Sequence, residues 1–360
     1  MQFGIMMDPH IDRWDLARYA EELGFDRVNV PDSQMIWSDP YAVLALVASN
    51  TRRIQIGIGV TSPELRIAPV TACAIATINR IAPGRVFLGI GTGHTSVRLM
   101  GRKPAPVARL QEYFRVVRAL LDGEEVNYPD RGEPRLIKFM HRDRHYINLE
   151  DRIPIFIAAN GPKAIRLAGE VADGWTTATK SPEVGQRYFR ELYEGARIGG
   201  RELPSGFYAS FQTCACVLRP GERLESERVV NEVGSYVTTI LHLSYEVWQA
   251  SGRKNEAVPP FFRNIWEDYL KRVAGFSLPP EGRFRQIHDG HSTFLQPEER
   301  AFITPETIRG TCLAGEPDEI IAHIRAMEGV GFKGLNLLPS ADCQRNVYRD
   351  FAEHIIPAFR

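Results

Sequence analysis

The chain is 360 residues long, 44% apolar and 24% charged, a composition that can bury a substantial core and excludes wholesale disorder. Lys plus Arg balances Asp plus Glu at 44 each, so no overall field draws in nucleic acid or an anionic membrane surface. No stretch approaches the roughly 18 unbroken apolar residues of a membrane span, and the opening MQFGIMMDPHID lacks a basic leader segment. A cytoplasmic protein with neither a nucleic-acid nor a membrane partner is expected.

In chain order, QFGIMM (2–7) reads as a buried strand and DRWDLARYAEELGF (12–25) as a helix stopped by Gly24. RVNV (27–30) is the second strand. DPYAVLALVASNT (39–51) is the second helix, with Asp39 as N-cap and Pro40 in its first position. IQIGIGV (54–60), APVTACAIATINRI (68–81) and RVFLGIG (85–91) continue the alternation, followed by a helix over 107–122 and a polar excursion over 123–152. IPIFIAA (153–159), PKAIRLAGEVA (162–172), GWTTAT (174–179), a helix over 182–198 and GFYASFQTCACVL (206–218) extend it to a seventh strand. From 221 to 310 helical stretches rich in aromatics interrupt the rhythm, which DEIIAHIRAMEGVGF, GLNLLP and DCQRNVYRDFAEHIIPAF then restore.

Continuous apolar strands separated by amphipathic helices predict a parallel sheet covered by helices. Eight such units, with no GxGxxG after the first strand, predict an α/β fold of the (β/α)8 TIM-barrel type rather than an open doubly wound sheet. One domain over 1–360 is expected, with a long, mostly helical insertion over 221–310 before the last unit. Its aromatics, among them Tyr236, Tyr245, Trp248, Trp266 and Tyr269, either roof an apolar substrate pocket or pack as core or subunit interface. Cys73, Cys214, Cys216, Cys312 and Cys343 are odd in number and scattered, and fit neither a disulfide framework nor paired zinc spacing.

In a barrel of this kind the chemistry lies at the carboxyl ends of the strands. There the chain places PDSQMIW, with Asp32, Ser33 and Trp37; GVTSPELR, with Gly59, Val60, Thr61 and Ser62; GTGHTSVR, with Gly91, Thr92, Gly93 and His94; and AANGPK, with Ala158, Ala159, Asn160, Gly161 and Pro162. Small residues at all these ends admit a flat ligand to main-chain groups. The helix start at Pro162 either seats a phosphate or merely turns a strand into a helix. The nearby cations Arg98, Arg102 and Lys103 extend that seat or form a solvated face. His94 carries a group able to move protons near neutral pH, or packs as a ring on a cofactor edge. His288 and His291, in HDGH, are expected to touch substrate; with no carboxylate or cysteine to complete a ligand set, no metal is expected.

The segments GFDRVNVPDSQ, TRRIQIGIGVTSP, IAPGRVFLGIGTGHTSVRLMG, IPIFIAANGPKAIRLAGEVADGWTT and DEIIAHIRAMEGVGFKGLNLLP, in this order, resemble the bacterial luciferase-like superfamily. That superfamily includes FMN-dependent monooxygenases and F420-dependent enzymes such as methylenetetrahydromethanopterin reductases. The resemblance covers nearly the whole chain except 221–290 and implies a TIM barrel holding a reduced flavin or deazaflavin. It implies a non-prolyl cis peptide at Gly59–Val60 behind the ring, Asp32 near ring or substrate, Gly91 to Gly93 along the cofactor and Ala158 to Pro162 on its phosphate. It also implies a homodimer.

Departures from the family patterns shape the functional reading. The acid–base pair of the sugar-phosphate dehydrogenases, Asp-His after the second strand and a glutamate after GTG, is replaced here by Asp32-Ser33 and His94. The histidines that the monooxygenases carry after the second strand are missing too. The sequence favours FMNH2- and O2-dependent monooxygenation of a small organic substrate, with a separate flavin reductase. Its alternatives are F420-dependent hydride transfer, with Asp32 or His94 as proton partner, and a flavin-binding barrel without turnover.

Overall fold

Eight parallel strands close on themselves in the computed structural model, which describes residues 1–129 and 133–360. In chain order they are Gln2–Met6, Arg27–Val30, Gln55–Thr61, Val86–Gly91, Ile155–Ala158, Gly174–Thr177, Tyr208–Thr213 and Gly334–Leu337. Each is hydrogen-bonded to the next, and the last returns to the first. Helices Asp15–Glu22, Pro40–Asn50, Ala68–Ile81, Val107–Leu121, Pro162–Val171 and Pro182–Ile198 alternate with the first seven strands, as the βα rhythm of the sequence predicts.

One expected strand divides. The run read as 206–218 leaves the barrel after Thr213, and Ala215–Val217 pairs with Leu313–Gly315 in a separate two-stranded parallel sheet. Side-chain and main-chain bonds mark the branch: Thr213 Oγ1 donates to the Thr311 carbonyl at 2.9 Å, and Leu313 N to that of Cys214 at 2.9 Å. The polar excursion holds the antiparallel pair Val126–Tyr128 and Arg135–Ile137. The described residues divide into two compact units, Met1–Phe211 with Val330–Asn336 and Gln212–Gly329 with Leu337–Arg360. The second unit is mainly helical, built on the long helix Glu227–Ala250. There Arg228 bonds Glu222 at 2.7 Å and Glu232 at 2.9 Å, and Cys216 donates to Glu232 at 3.1 Å.

Alternation along the strands decides how the barrel interior is filled. Arg27 is buried, with its guanidinium 3.9 Å from the Tyr208 ring centroid and 5.4 Å from those of Phe87 and Phe156. The three rings stack at centroid spacings of 5.3 Å. Burial lowers the arginine's pKa from its ordinary value, and a desolvated cation–π contact of this kind is worth about 2 kcal/mol. Gly57 and Gly174 make room, since a Cβ at either would fall 2.5 Å from Phe87 Cδ2 or 2.6 Å from Phe156 Cδ1.

Two residues further toward the carboxyl ends, the same strands supply Asn29, Gly89, Ala158, Ser210 and Asn336, with no ring among them. Asn29 Nδ2 donates to Asn336 Oδ1 at 3.0 Å, and Asn336 Nδ2 to Ser210 Oγ at 3.3 Å. The barrel therefore has a bulky floor and a small, polar layer above it.

Gly89 explains one of the bare positions read from the sequence. A Cβ there would lie 2.6 Å from the Ile58 carbonyl oxygen and 2.8 Å from Val60 Cγ1, so the glycine lets the third strand approach the fourth. Gly89→Ala is expected to lose about 1–3 kcal/mol of stability, read as a lower urea midpoint. A midpoint equal to wild type would show that the third strand yields freely.

Candidate active site

The second and third strands deliver their loops to a shared charged knot. Asp32 is 2% exposed and accepts hydrogen bonds from Thr61 Oγ1 at 2.7 Å and Arg66 Nε at 3.0 Å. The other arm of Arg66 reaches Asp39 Oδ2 at 2.5 Å. Asp39 in turn caps helix Pro40–Asn50, accepting from the amides of Tyr41 and Ala42. The guanidinium lies 4.7 Å from the Tyr41 ring centroid. Burial opposes the Arg66 charge, but Asp32 and Asp39 outweigh it and raise its pKa. Burial likewise opposes ionisation of Asp39, yet the Arg66 hydrogen bond and the helix-start amides hold its carboxyl below the usual range. Arg66 was not legible as a site residue, because Asp32 and Asp39 lie 34 and 27 residues from it in the chain.

The Gly59–Val60 peptide is cis, as the resemblance implied, and the strand register shifts there between Ile58 and Thr61. Gly59 and Val60 are partly exposed, whereas Thr61 and Ser62 are buried. The amide of Asp32 donates to the Val60 carbonyl at 3.4 Å. Thr61 spends its hydroxyl on Asp32, and Ser62 spends its own on the Thr92 carbonyl at 3.1 Å. Both hydroxyls thus shape the loops, and the 59–60 segment is left partly exposed.

After the fourth strand, Gly91 is buried while Thr92, Gly93 and His94 are partly exposed. Gly93 has φ +85°, and its missing Cβ would meet Ser62 Oγ at 2.9 Å, so only glycine suits it. His94 precedes the single turn Thr95–Arg98, with its Nδ1 3.1 Å from Thr95 Oγ1. Arg102 and Arg109 both pair with Glu64, at 3.0 and 2.7 Å, so Arg102 is engaged within the protein; Lys103 is exposed.

After the fifth strand, Ala158 is partly buried, and the buried Ala159 gives its carbonyl to Trp175 Nε1 at 2.9 Å. Asn160 Oδ1 accepts from Thr177 Oγ1 at 2.7 Å and Ala178 N at 2.9 Å, fixing the turn. Gly161 and Pro162 are exposed, no side chain caps helix Pro162–Val171, and the space around Gly161 is open. An uncapped helix start on open space fits the anionic tail of a flavin or deazaflavin. Ser33 and Trp37, both partly exposed, share one turn in which Trp37 N donates to the Ser33 carbonyl at 3.1 Å.

His288 and His291 belong to the second unit. His288 Nε2 lies 2.5 Å from Glu246 Oε1, and His242 Nε2 lies 2.8 Å from Glu299 Oε1. Two carboxylates distant in sequence thus lie against the rings of His288 and His242, and His242 and Glu246, four residues apart, share one helix face.

A closed parallel barrel with polar and bare loops at the carboxyl ends of its strands is a TIM barrel, an architecture whose enzymes carry their chemistry at that face. The chain belongs to the luciferase-like monooxygenase family, whose model matches residues 11–334. It is 33% identical over 219 residues to a 5,10-methylenetetrahydromethanopterin reductase of Methanolobus tindarius, covering 59% of this chain and 65% of the relative. It is 35% identical over 208 residues to an F420-dependent glucose-6-phosphate dehydrogenase of Nakamurella multipartita, covering 52% of this chain and 59% of the relative. The chain thus spans less than two thirds of each of these relatives. Among solved structures, the coenzyme F420-dependent tetrahydromethanopterin reductase of Methanopyrus kandleri superposes with a TM-score of 0.69 at 20% identity, covering 100% of this chain and 99% of that one. At that identity the likeness speaks for the fold.

Removing the Arg66 charge should reveal what the knot contributes. Arg66→Met is expected to cost about 2 kcal/mol, less than the ~3–5 of a fully buried pair because Arg66 is partly exposed. Asp39, with its folded pKa depressed, contributes stability above the unfolded carboxyl value of about 3.9 and loses it as pH falls through the folded value. The wild type should therefore weaken more steeply below about pH 4 than Arg66→Met, in urea melts across that range; parallel acid limbs would remove Arg66 as the cause.

Proposed function

We propose that the chain is an F420-dependent oxidoreductase that moves a hydride between the deazaflavin and a small organic substrate at the carboxyl ends of the barrel strands. This takes the sequence reading's alternative over FMN-linked oxygenation. The carrying observation is the level of identity, 33 to 35%, to relatives named a methylenetetrahydromethanopterin reductase and an F420-dependent dehydrogenase. When bound, the deazaflavin supplies the hydride chemistry.

The protein's share is to bind, orient and handle a proton. The partly exposed Gly59–Val60 peptide forms a wall without side-chain bulk for a planar ring. The amides at the start of helix Pro162–Val171 hold the anionic tail, with the exposed Lys163 beside them. Asp32 fixes the loops through Thr61 and Arg66. His94, anchored through Nδ1 to Thr95, holds or releases a proton at Nε2 for the substrate oxygen or nitrogen. Ser33 and Trp37 line the substrate side.

Fluorescence titration with F420 and FMN should give F420 an affinity at least about tenfold higher, a difference of about 1.4 kcal/mol. Tighter FMN binding, with oxygen uptake driven by reduced FMN, would move the protein to the monooxygenases. His94→Ala is expected to slow turnover by about 100-fold or more while F420 affinity stays near wild type. An unchanged rate would remove His94 from the mechanism.

A further inference from the structure

Three histidines of the second unit converge where the sequence shows only two. His242 and Glu246 stand on one face of helix Glu227–Ala250, and His288 and His291 follow the short helix Arg283–Ile287. One ring nitrogen of each histidine lies within 4.8 Å of the others. His288 Nδ1 and His291 Nδ1 are 3.4 Å apart. Two zinc–nitrogen bonds of about 2.0–2.1 Å meeting at the tetrahedral angle place their nitrogens about 3.4 Å apart, so this pair already stands at the separation of one edge of a tetrahedral site.

The far sides of two rings are anchored. His242 gives Nε2 to Glu299 and His288 gives Nε2 to Glu246, at 2.8 and 2.5 Å, with all four side chains at most 4% exposed. An imidazole that donates one N–H to a carboxylate presents the lone pair of its other nitrogen. That is how metal-binding histidines are oriented. His242 Nδ1 is buried and has no hydrogen-bond partner among the described residues, a costly condition unless a ligand takes its lone pair. A hydrogen bond shared between His288 and His291 accounts for their contact but leaves His242 Nδ1 unexplained.

The surroundings are aromatic. Phe284 packs 4.2 Å from the His288 ring centroid, and Tyr269 lies 6.3 Å from that of His242. Arg272 Nε, 3.7 Å from Glu299 Oε1, offsets one of the two buried carboxylates. Three imidazoles without an oxygen donor suit zinc, cobalt, nickel or copper and not magnesium or calcium, which require oxygen ligands.

We propose that His242, His288 and His291 bind one divalent transition-metal ion of the zinc class, with Glu299 and Glu246 as orienting carboxylates. A fourth position is left for water or an oxygen of a ligand. This assignment is independent of the cofactor chosen by the barrel.

The test uses tag-free, full-length protein stripped with EDTA, then titrated calorimetrically with Zn²⁺ and spectroscopically with Co²⁺. The expected result is one equivalent per chain, visible Co²⁺ bands of tetrahedral type, and a Tm raised by Zn²⁺ through preferential binding to the folded state. His291→Ala, at a partly exposed position, and His242→Gln should abolish the Co²⁺ bands and the Tm shift. Glu299→Gln should weaken Zn²⁺ about 10- to 100-fold while leaving uptake of one equivalent. Should His242→Gln fail to fold, judged by circular dichroism, His291→Ala decides alone. No saturable uptake by the stripped wild type, or uptake undiminished in His291→Ala, overturns the proposal.

Discussion

The arginine enclosed by three rings at the floor of the barrel sets the direction of everything above it. A cation inside a protein requires partners to offset its desolvation, and Arg27 finds them in the faces of Tyr208, Phe156 and Phe87 and in Gln2 Oε1 at 3.1 Å. These groups fill the lower cross-section. With the next layer made of Asn29, Ser210, Asn336, Gly89 and Ala158, the interior becomes smaller in side chain and richer in hydrogen-bonding groups toward the carboxyl ends. The chemistry is placed at that end by packing as much as by the loops.

The loops then convert this hollow into a fixed surface. Thr61, Ser62, Asn160 and Arg66 each spend their polar atoms on neighbouring loops, so the bare peptide groups beside them are held in place without reaching into the space themselves. Small residues here serve two separate ends. Gly89 lets one strand approach another and Gly93 makes a left-handed turn, whereas Gly161 borders open space.

Much of the barrel was legible because its strands are continuous apolar runs and its helices carry clear caps. The seventh strand was read too long because VL at 217–218 prolongs an apolar run whose hydrogen bonding passes to a different partner. Arg27 and Asn29 were invisible as interior residues, since a four-residue strand shows too little alternation to reveal which face a lone charge occupies. The cis peptide became legible only through family resemblance. Asp32 was legible by position but not by role, because its partners Thr61 and Arg66 lie 29 and 34 residues away. The same distance problem hid the histidine cluster: Glu246 and Glu299 approach their rings across 42 and 57 residues, and short-range spacing carries no trace of such contacts.

The choice between the two acid–base candidates follows from what each group already does. Asp32 is buried and already accepts from the Thr61 hydroxyl and the Arg66 guanidinium, and a charge-assisted bond of the second kind is stronger than its neutral counterpart. His94 stands on the loop after the fourth strand with Nδ1 3.1 Å from Thr95 Oγ1, and imidazole is the side-chain type suited to proton transfer near physiological pH. In the proposed reaction the labour divides accordingly: the aspartate holds geometry, and the imidazole on its glycine-flanked loop is the group assigned to the proton.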